Sequence, residues 1–132
     1  MCIFCKIING EIPSNIIYED DLTMAFLDIT PDFFGHTLVI PKQHYANLFD
    51  CPNDVLIAVL NTVKKICTHY TSNCGFGGVN ILNNSGQCAG QSVFHLHFHI
   101  IPQKESSPID IFPKVKIKIE RNFEEERKLL AF

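Results

Sequence analysis

Between Asn15 and Lys42 the chain alternates short apolar, β-branched runs with turn-forming residues. Ile16-Ile17-Tyr18 is followed by Glu19-Asp20-Asp21, Met24-Ala25-Phe26-Leu27 by Thr30-Pro31-Asp32, and His36-Thr37-Leu38-Val39-Ile40 completes the series. This spacing predicts three antiparallel strands. After Pro52 the period changes: Val55, Val59, Val63, Ile66, Cys67 and Tyr70 recur at three- and four-residue steps and form one stripe of a helix. Asn53 can cap that helix, and Gly75, Gly77 and Gly78 stop it. Two further strands, 79–82 and 93–101, flank a polar loop from Asn83 to Ser92, with Pro102 closing the second. Beyond lie a Ser106-Ser107-Pro108 break, an alternating segment at 114–119 and a charged stretch at 124–130 that reads as a short helix.

Composition narrows this α+β pattern to one domain. At 132 residues with 46% hydrophobic content the chain can bury a single core without disulfide staples. A net charge of -3 gives no broad basic field, which argues against nucleic-acid binding and leaves room for a small anionic ligand in a local pocket. No run approaches the ~20 apolar residues of a membrane span, and Met1-Cys2-Ile3-Phe4-Cys5-Lys6 is no secretory leader, so the expectation is a soluble, cytoplasmic protein with no membrane partner. Six cysteines without a secretory signal read as reduced thiols, with Cys51, Cys67, Cys74 and Cys88 as packing or surface residues.

Chemistry concentrates in His95-Leu96-His97-Phe98-His99-Ile100-Ile101. On a strand alternate side chains share a face, so three imidazoles line one side while Leu96, Phe98 and Ile100 anchor the other. Neighbouring imidazoles in such a row stand roughly 6–7 Å apart, close enough to flank one phosphate. A neutral imidazole can attack phosphorus at physiological pH, and a protonated one can neutralise phosphoryl oxygens. The preceding loop offers backbone N–H groups, the Ser92 hydroxyl and the Asn84 and Gln91 amides to the same anion.

The row resembles the motif of the histidine triad family, His-φ-His-φ-His-φ-φ with φ apolar. Further segments are similar in the family's order: Phe26-Leu27-Asp28-Ile29-Thr30-Pro31, Gly35-His36-Thr37-Leu38-Val39-Ile40-Pro41-Lys42 and Gly90-Gln91-Ser92-Val93. The resemblance covers roughly Cys2 to Gln103, which suggests a domain at 1–103 and a C-terminal extension at 104–132 packed on it or at a dimer interface. It implies a HIT-like fold: an antiparallel sheet of about five strands, a main helix, a shorter N-terminal helix, and a homodimer with a continuous sheet. It also implies a nucleotide hydrolase acting on the α-phosphate of an AMP-like purine nucleotide, with His97 as covalent nucleophile. His99, Ser92, Asn84, Gly90 and Gln91 would hold the phosphate, Asp28 the ribose hydroxyls, and Phe26, Leu27 and Ile29 the base, while His36 would tune the catalytic rings. Retention of His99 favours hydrolysis over transfer to a sugar phosphate, a branch in which glutamine typically stands there.

Cys2-Ile3-Phe4-Cys5 has zinc-ligand spacing, half of a tetrahedral site. His44 and His95 can complete it, as in the Cys2His2 site of the family's bacterial-type, HINT-like branch, and four protein ligands make the ion structural. A thioredoxin-like redox pair is disfavoured because that motif opens a helix after a strand, whereas this one starts at residue 2. Three rivals stand beside phosphoramidate hydrolysis: cleavage of dinucleoside polyphosphates, nucleotide binding without turnover, and a metallohydrolase built on the histidine row.

Overall fold

The computed structural model describes residues 2–30, 32–104 and 119–132. A five-stranded antiparallel sheet is assembled from β1 (Ile16–Glu19), β2 (Thr23–Leu27), β3 (Thr37–Pro41), β4 (Gly78–Leu82) and β5 (Phe98–Gln103), in the order β1-β2-β3-β5-β4. This order puts β5, and the histidines leading into it, inside the sheet between β3 and β4. β2 and β3 are buried almost throughout, with no alternation of exposure, because both faces of the sheet are covered.

Helix α2 (Asn53–Asn73) covers one face. Its Val59, Val63, Ile66 and Tyr70 pack on Ala25, Val39, Leu96, Phe98 and Ile100, with Val55 and Cys67 at the margin, so the predicted stripe is the buried one. Thr23 and Thr62 exchange a buried hydroxyl hydrogen bond of 2.7 Å, and Thr37 and Tyr70 another of 2.7 Å, which satisfies the polar atoms in this layer. The N-cap is Pro52, whose φ of -61° suits the entry to a helix and which makes no side-chain cap bond; Asn53 is already inside. Gly75, at φ 82°, ends the helix in the left-handed region that favours glycine.

The other face carries α1 (Ile3–Ile8), whose one buried residue, Phe4, joins Met24, Phe26, Leu38 and Ile40 in a second cluster. Helix α3 (Phe123–Leu130) confirms the short helix read at 124–130, starts on an Asn122 cap bonded to the Glu125 N–H, and buries no residue. The Ser106-Ser107-Pro108 break and most of the 114–119 segment lie outside the described residues. No helix among the described residues is long and apolar enough to cross a membrane.

The last strand departs from expectation at both ends. It starts at Phe98 rather than Val93, because residues 93–97 bond to neighbouring loops instead of a strand: the Leu96 N–H donates to Tyr45 O at 2.7 Å, and Asn83 Nδ2 donates to His97 O at 2.9 Å. Pro102 lies within β5, opposite Val79, and does not close it. β3 begins only at Thr37, opposite Ile100, so it presents no paired residue to the proline, which has no N–H to offer.

Candidate active site

Three imidazoles converge where β5 begins, although only His99 of the row is in the strand itself. Alternation survives without ladder pairing: Leu96, Phe98 and Ile100 enter the α2-side core, while His97 and His99 share the opposite side with ring centroids 5.0 Å apart. That is closer than the roughly 6–7 Å between alternate residues of a regular strand.

His97 is 6% exposed, and its Nδ1 lies 2.7 Å from the backbone O of His95. A carbonyl only accepts, so Nδ1 carries the proton and the Nε2 lone pair is free. Burial, and secondarily His36, lower the affinity of His97 for a second proton, outweighing the His95 carbonyl and Asp28, so the ring is neutral at physiological pH. His99 is pushed down to about 4 by burial and by His97 and His36, with Asp28 opposing. The expectation that one row member stands protonated is therefore not met in the free site.

His36 Nε2 lies 2.8 Å from His99 Nδ1, with one proton between them, and its buried Nδ1 faces Asp28 Oδ1 at 4.0 Å without a hydrogen-bond partner. Gly35 sets this approach: at φ 74°, a Cβ there would stand 2.8 Å from Pro102 Cγ, so a side chain would push β3 and His36 away from β5. Burial opposes ionisation of Asp28, but the Thr30 hydroxyl and N–H, with His36 and His99, hold its carboxyl below the usual range. An anionic acceptor thus sits at the rim of the histidine cluster.

The loop before the row is braced from within. Gln91 donates through Nε2 to Ala46 O at 2.6 Å and Val93 O at 3.0 Å, and its Oε1 accepts from the Gly86 N–H at 2.9 Å. The N–H groups of Ala89, Gly90 and Gln91 also bond inside the loop. These groups are engaged in shaping the turn. Gly90 adopts φ 85° at the exit of the 3-10 turn Gln87–Ala89. The side chains of Asn84, half-buried, and Ser92, exposed, make no hydrogen bond to another described residue.

Of the residues expected around the base, Phe26 is 3% exposed and packs on Phe4 in the core, so it presents no open ring face. Leu27 is half-buried and Ile29 is 91% exposed beside Asp28. Sequence reasoning missed three residues. Asn83 ties the loop to His97 O while accepting from Ser85 Oγ, Thr30 clamps Asp28, and Phe4 stands perpendicular to both His95 and His97. The legible signals were a loop opening on two asparagines, a threonine two residues after an aspartate, and a phenylalanine inside a cysteine pair.

A second cluster adjoins the first. Cys2, Cys5, His44 and His95 bring four ligand atoms within 4.8 Å of one another, a set that could hold a metal ion. His95 Nε2 donates to Pro41 O at 2.8 Å, leaving Nδ1 unprotonated and directed at the cluster, and burial favours that neutral ring.

The HIT domain family profile matches residues 9–106, and the chain belongs to this family. It is similar to an uncharacterized HIT-like protein of Methanocaldococcus jannaschii, 54% identical over 105 residues that cover 80% of this chain and 81% of that one. The adenosine 5'-monophosphoramidase of Candida albicans is 46% identical over 110 residues, 80% of this chain and 72% of its own. An adenylylsulfatase of Arabidopsis thaliana is 45% identical over 104 residues, 79% of this chain and 53% of its own. Among solved structures, a HIT family member from Bacillus subtilis superposes with a TM-score of 0.80 at 42% identity, covering 97% of this chain and 91% of that one.

Proposed function

We propose that this chain hydrolyses nucleoside phosphoramidates through a nucleotidyl-histidine intermediate. The free Nε2 of His97 attacks the α-phosphorus, the P–N bond breaks, and the amine leaves with the electron pair and a proton drawn from the site. Water then attacks the same phosphorus, its released proton replaces the one taken by the amine, the P–N bond to His97 breaks, and the nucleoside monophosphate and the original imidazole result. The observation that carries this reading is the 2.7 Å bond from His97 Nδ1 to His95 O, which fixes the tautomer and leaves the Nε2 lone pair available for attack. Ser92, Asn84 and His99 are the groups we assign to the phosphate, with Gly90 and Gln91 shaping the loop. Asp28 takes the ribose hydroxyls, and Leu27 and Ile29 border the base. Relatives named for adenosine 5'-monophosphoramidase activity support an amine leaving group. The adenylylsulfatase relative favours a second reading, in which a P–O linkage at the same phosphorus is cut by the same nucleophile.

We assign zinc to the four-ligand cluster. With Zn–S of about 2.3 Å and Zn–N of about 2.0–2.1 Å, tetrahedral ligands stand about 3.5 Å apart for S and N and about 3.3 Å for two nitrogens. The corresponding separations are 3.6 Å for Cys2 to His95, 3.3 Å for Cys5 to His44, 3.6 Å for Cys5 to His95 and 3.1 Å for His44 to His95. With four protein ligands the ion tethers α1 to the catalytic segment and leaves no position for water. We also assign a homodimer through β4, an edge strand that leaves Ile81 and Leu82 exposed.

The test is steady-state hydrolysis of an adenosine 5'-phosphoramidate by the wild type and by His97→Ala, with AMP binding measured by calorimetry. Loss of turnover with retained AMP binding is the expected result. Comparable turnover in the variant contradicts the proposal, and binding without turnover in the wild type reduces the protein to a nucleotide-binding module. Elemental analysis should give one zinc per chain, lost in Cys5→Ser.

A further inference from the structure

We infer that Phe4 is a positioning residue whose ring couples the Cys2/Cys5/His44/His95 cluster to the imidazole of His97. The inference rests on the assignment of His97 as nucleophile. Helix α1 spans six residues, far below the length at which an isolated helix holds together in water, so its place is set by what its ends and its one buried side chain touch. Cys2 and Cys5 commit it to the ligand cluster, and Phe4, between them, is driven into the sheet.

The Phe4 ring centroid lies 5.2 Å from that of His97 with the planes 88° apart, 5.9 Å from His95 at 70°, and 5.4 Å from Phe26 at 70°. Perpendicular packing of this kind is favourable for aromatic pairs and occupies the space through which the His97 ring would turn. A second constraint on that ring is the hydrogen bond to His95 O, and His95 belongs to the cluster through Nδ1. The His99 ring, with its centroid 5.0 Å away, borders it as well, but two of the restraints on His97 originate in the cluster. A cation held there fixes Cys2, Cys5 and His95 together, and with them the Phe4 edge and the carbonyl that orient the nucleophile. Release of the cation loosens both at once.

The experiment compares wild type, Phe4→Ala, Phe4→Leu and Ile7→Ala, each as purified with its metal, and wild type after chelation. Ile7 serves as control because it packs from the same helix on the same hydrophobic residues as Phe4, the Met24, Phe26, Leu38 and Ile40 group, and is not one of the four ligands. Readouts are kcat and KM for the phosphoramidate, metal content, and the long-range 1H–15N spectrum of His97 in neutral to mildly alkaline buffer. For Phe4→Ala we expect full metal content, an unchanged KM, and a kcat lower by about tenfold to a hundredfold, the range associated with misplacement of a reacting group by about 1 Å. Its His97 spectrum should change from a single Nδ1–H tautomer to an average, Phe4→Leu should recover part of kcat, and chelated wild type should give the same averaged spectrum. Ile7→Ala should melt earlier yet keep kcat. Wild-type kcat and an unaltered His97 spectrum in Phe4→Ala overturn the inference, as does an equal kcat loss in Ile7→Ala. Absence of turnover in the wild type defeats the nucleophile assignment instead, and the His97 spectrum still decides whether Phe4 holds the ring.

Discussion

Replacing His99 by glutamine should remove a defined part of the protein's acid sensitivity. The folded His99 ring titrates near 4, against 6.5 for an unburied histidine, because burial and the neighbouring His97 and His36 disfavour its charged form. The folded value is the lower one, so between 6.5 and about 4 the unfolded chain binds more protons than the native one, and stability falls as pH falls through that window. Above 6.5 both states leave the ring neutral and the term vanishes. Integrating from about pH 7.5 to about pH 4.5 gives a loss on the order of 2.5 kcal/mol from this ring alone. His97 and His95 are shifted in the same direction and add their own losses, but they do so in both proteins. Urea unfolding of wild type and His99→Gln at the two pH values isolates the term as a difference of differences, and the variant should lose about 2.5 kcal/mol less on acidification. Equal losses in the two proteins refute the claim that the half-buried His99 is held neutral in the native site.

Other substitutions test separate parts of the site. Asn83→Ala strips His97 O of its side-chain donor and leaves Ser85 without its acceptor; it should lower thermal stability by about 1–3 kcal/mol and reduce kcat, read by calorimetry and steady-state kinetics. Asp28→Asn should raise KM roughly tenfold for a ribonucleotide substrate and leave KM for the 2',3'-dideoxy analogue little changed, since a hydrogen bond to a charged group contributes about 1.5–3 kcal/mol only when the hydroxyls are present. Leu96→Ala empties a fully buried position between the histidines and α2, and should cost about 2–5 kcal/mol in urea unfolding. Tyr70→Phe removes a partner from the Thr37 hydroxyl and should cost about 1 kcal/mol without altering kcat, because that bond lies on the face of the sheet away from the imidazoles.

Where burial follows period, the fold was legible in the chain. The α2 stripe from Val55 to Tyr70 and the apolar runs of β2 and β3 follow from spacing alone, and Leu96, Phe98 and Ile100 enter the core as their alternation predicts. The cysteine pair also meets His44 and His95 in space. What spacing does not carry is the identity of hydrogen-bond partners. An alternating segment reads as a strand whether its backbone pairs with a ladder or, as at 93–97, with the loop after β3 and with Asn83. For the same reason spacing does not reveal that the Gln91 amide closes the loop on Ala46, Val93 and Gly86. Phe26 and Phe4 illustrate the other gap: an aromatic residue next to site residues can line a pocket or fill the core behind it, and only three-dimensional packing distinguishes the two.

The assignment of His97 as covalent nucleophile is tested most directly by trapping the adduct. Wild type mixed with an adenosine phosphoramidate labelled at phosphorus, quenched in alkali within one turnover and digested, should yield label on the peptide containing His97, forming and decaying at rates that account for kcat. Steady turnover with no protein-bound label, or with the label on another residue, contradicts it.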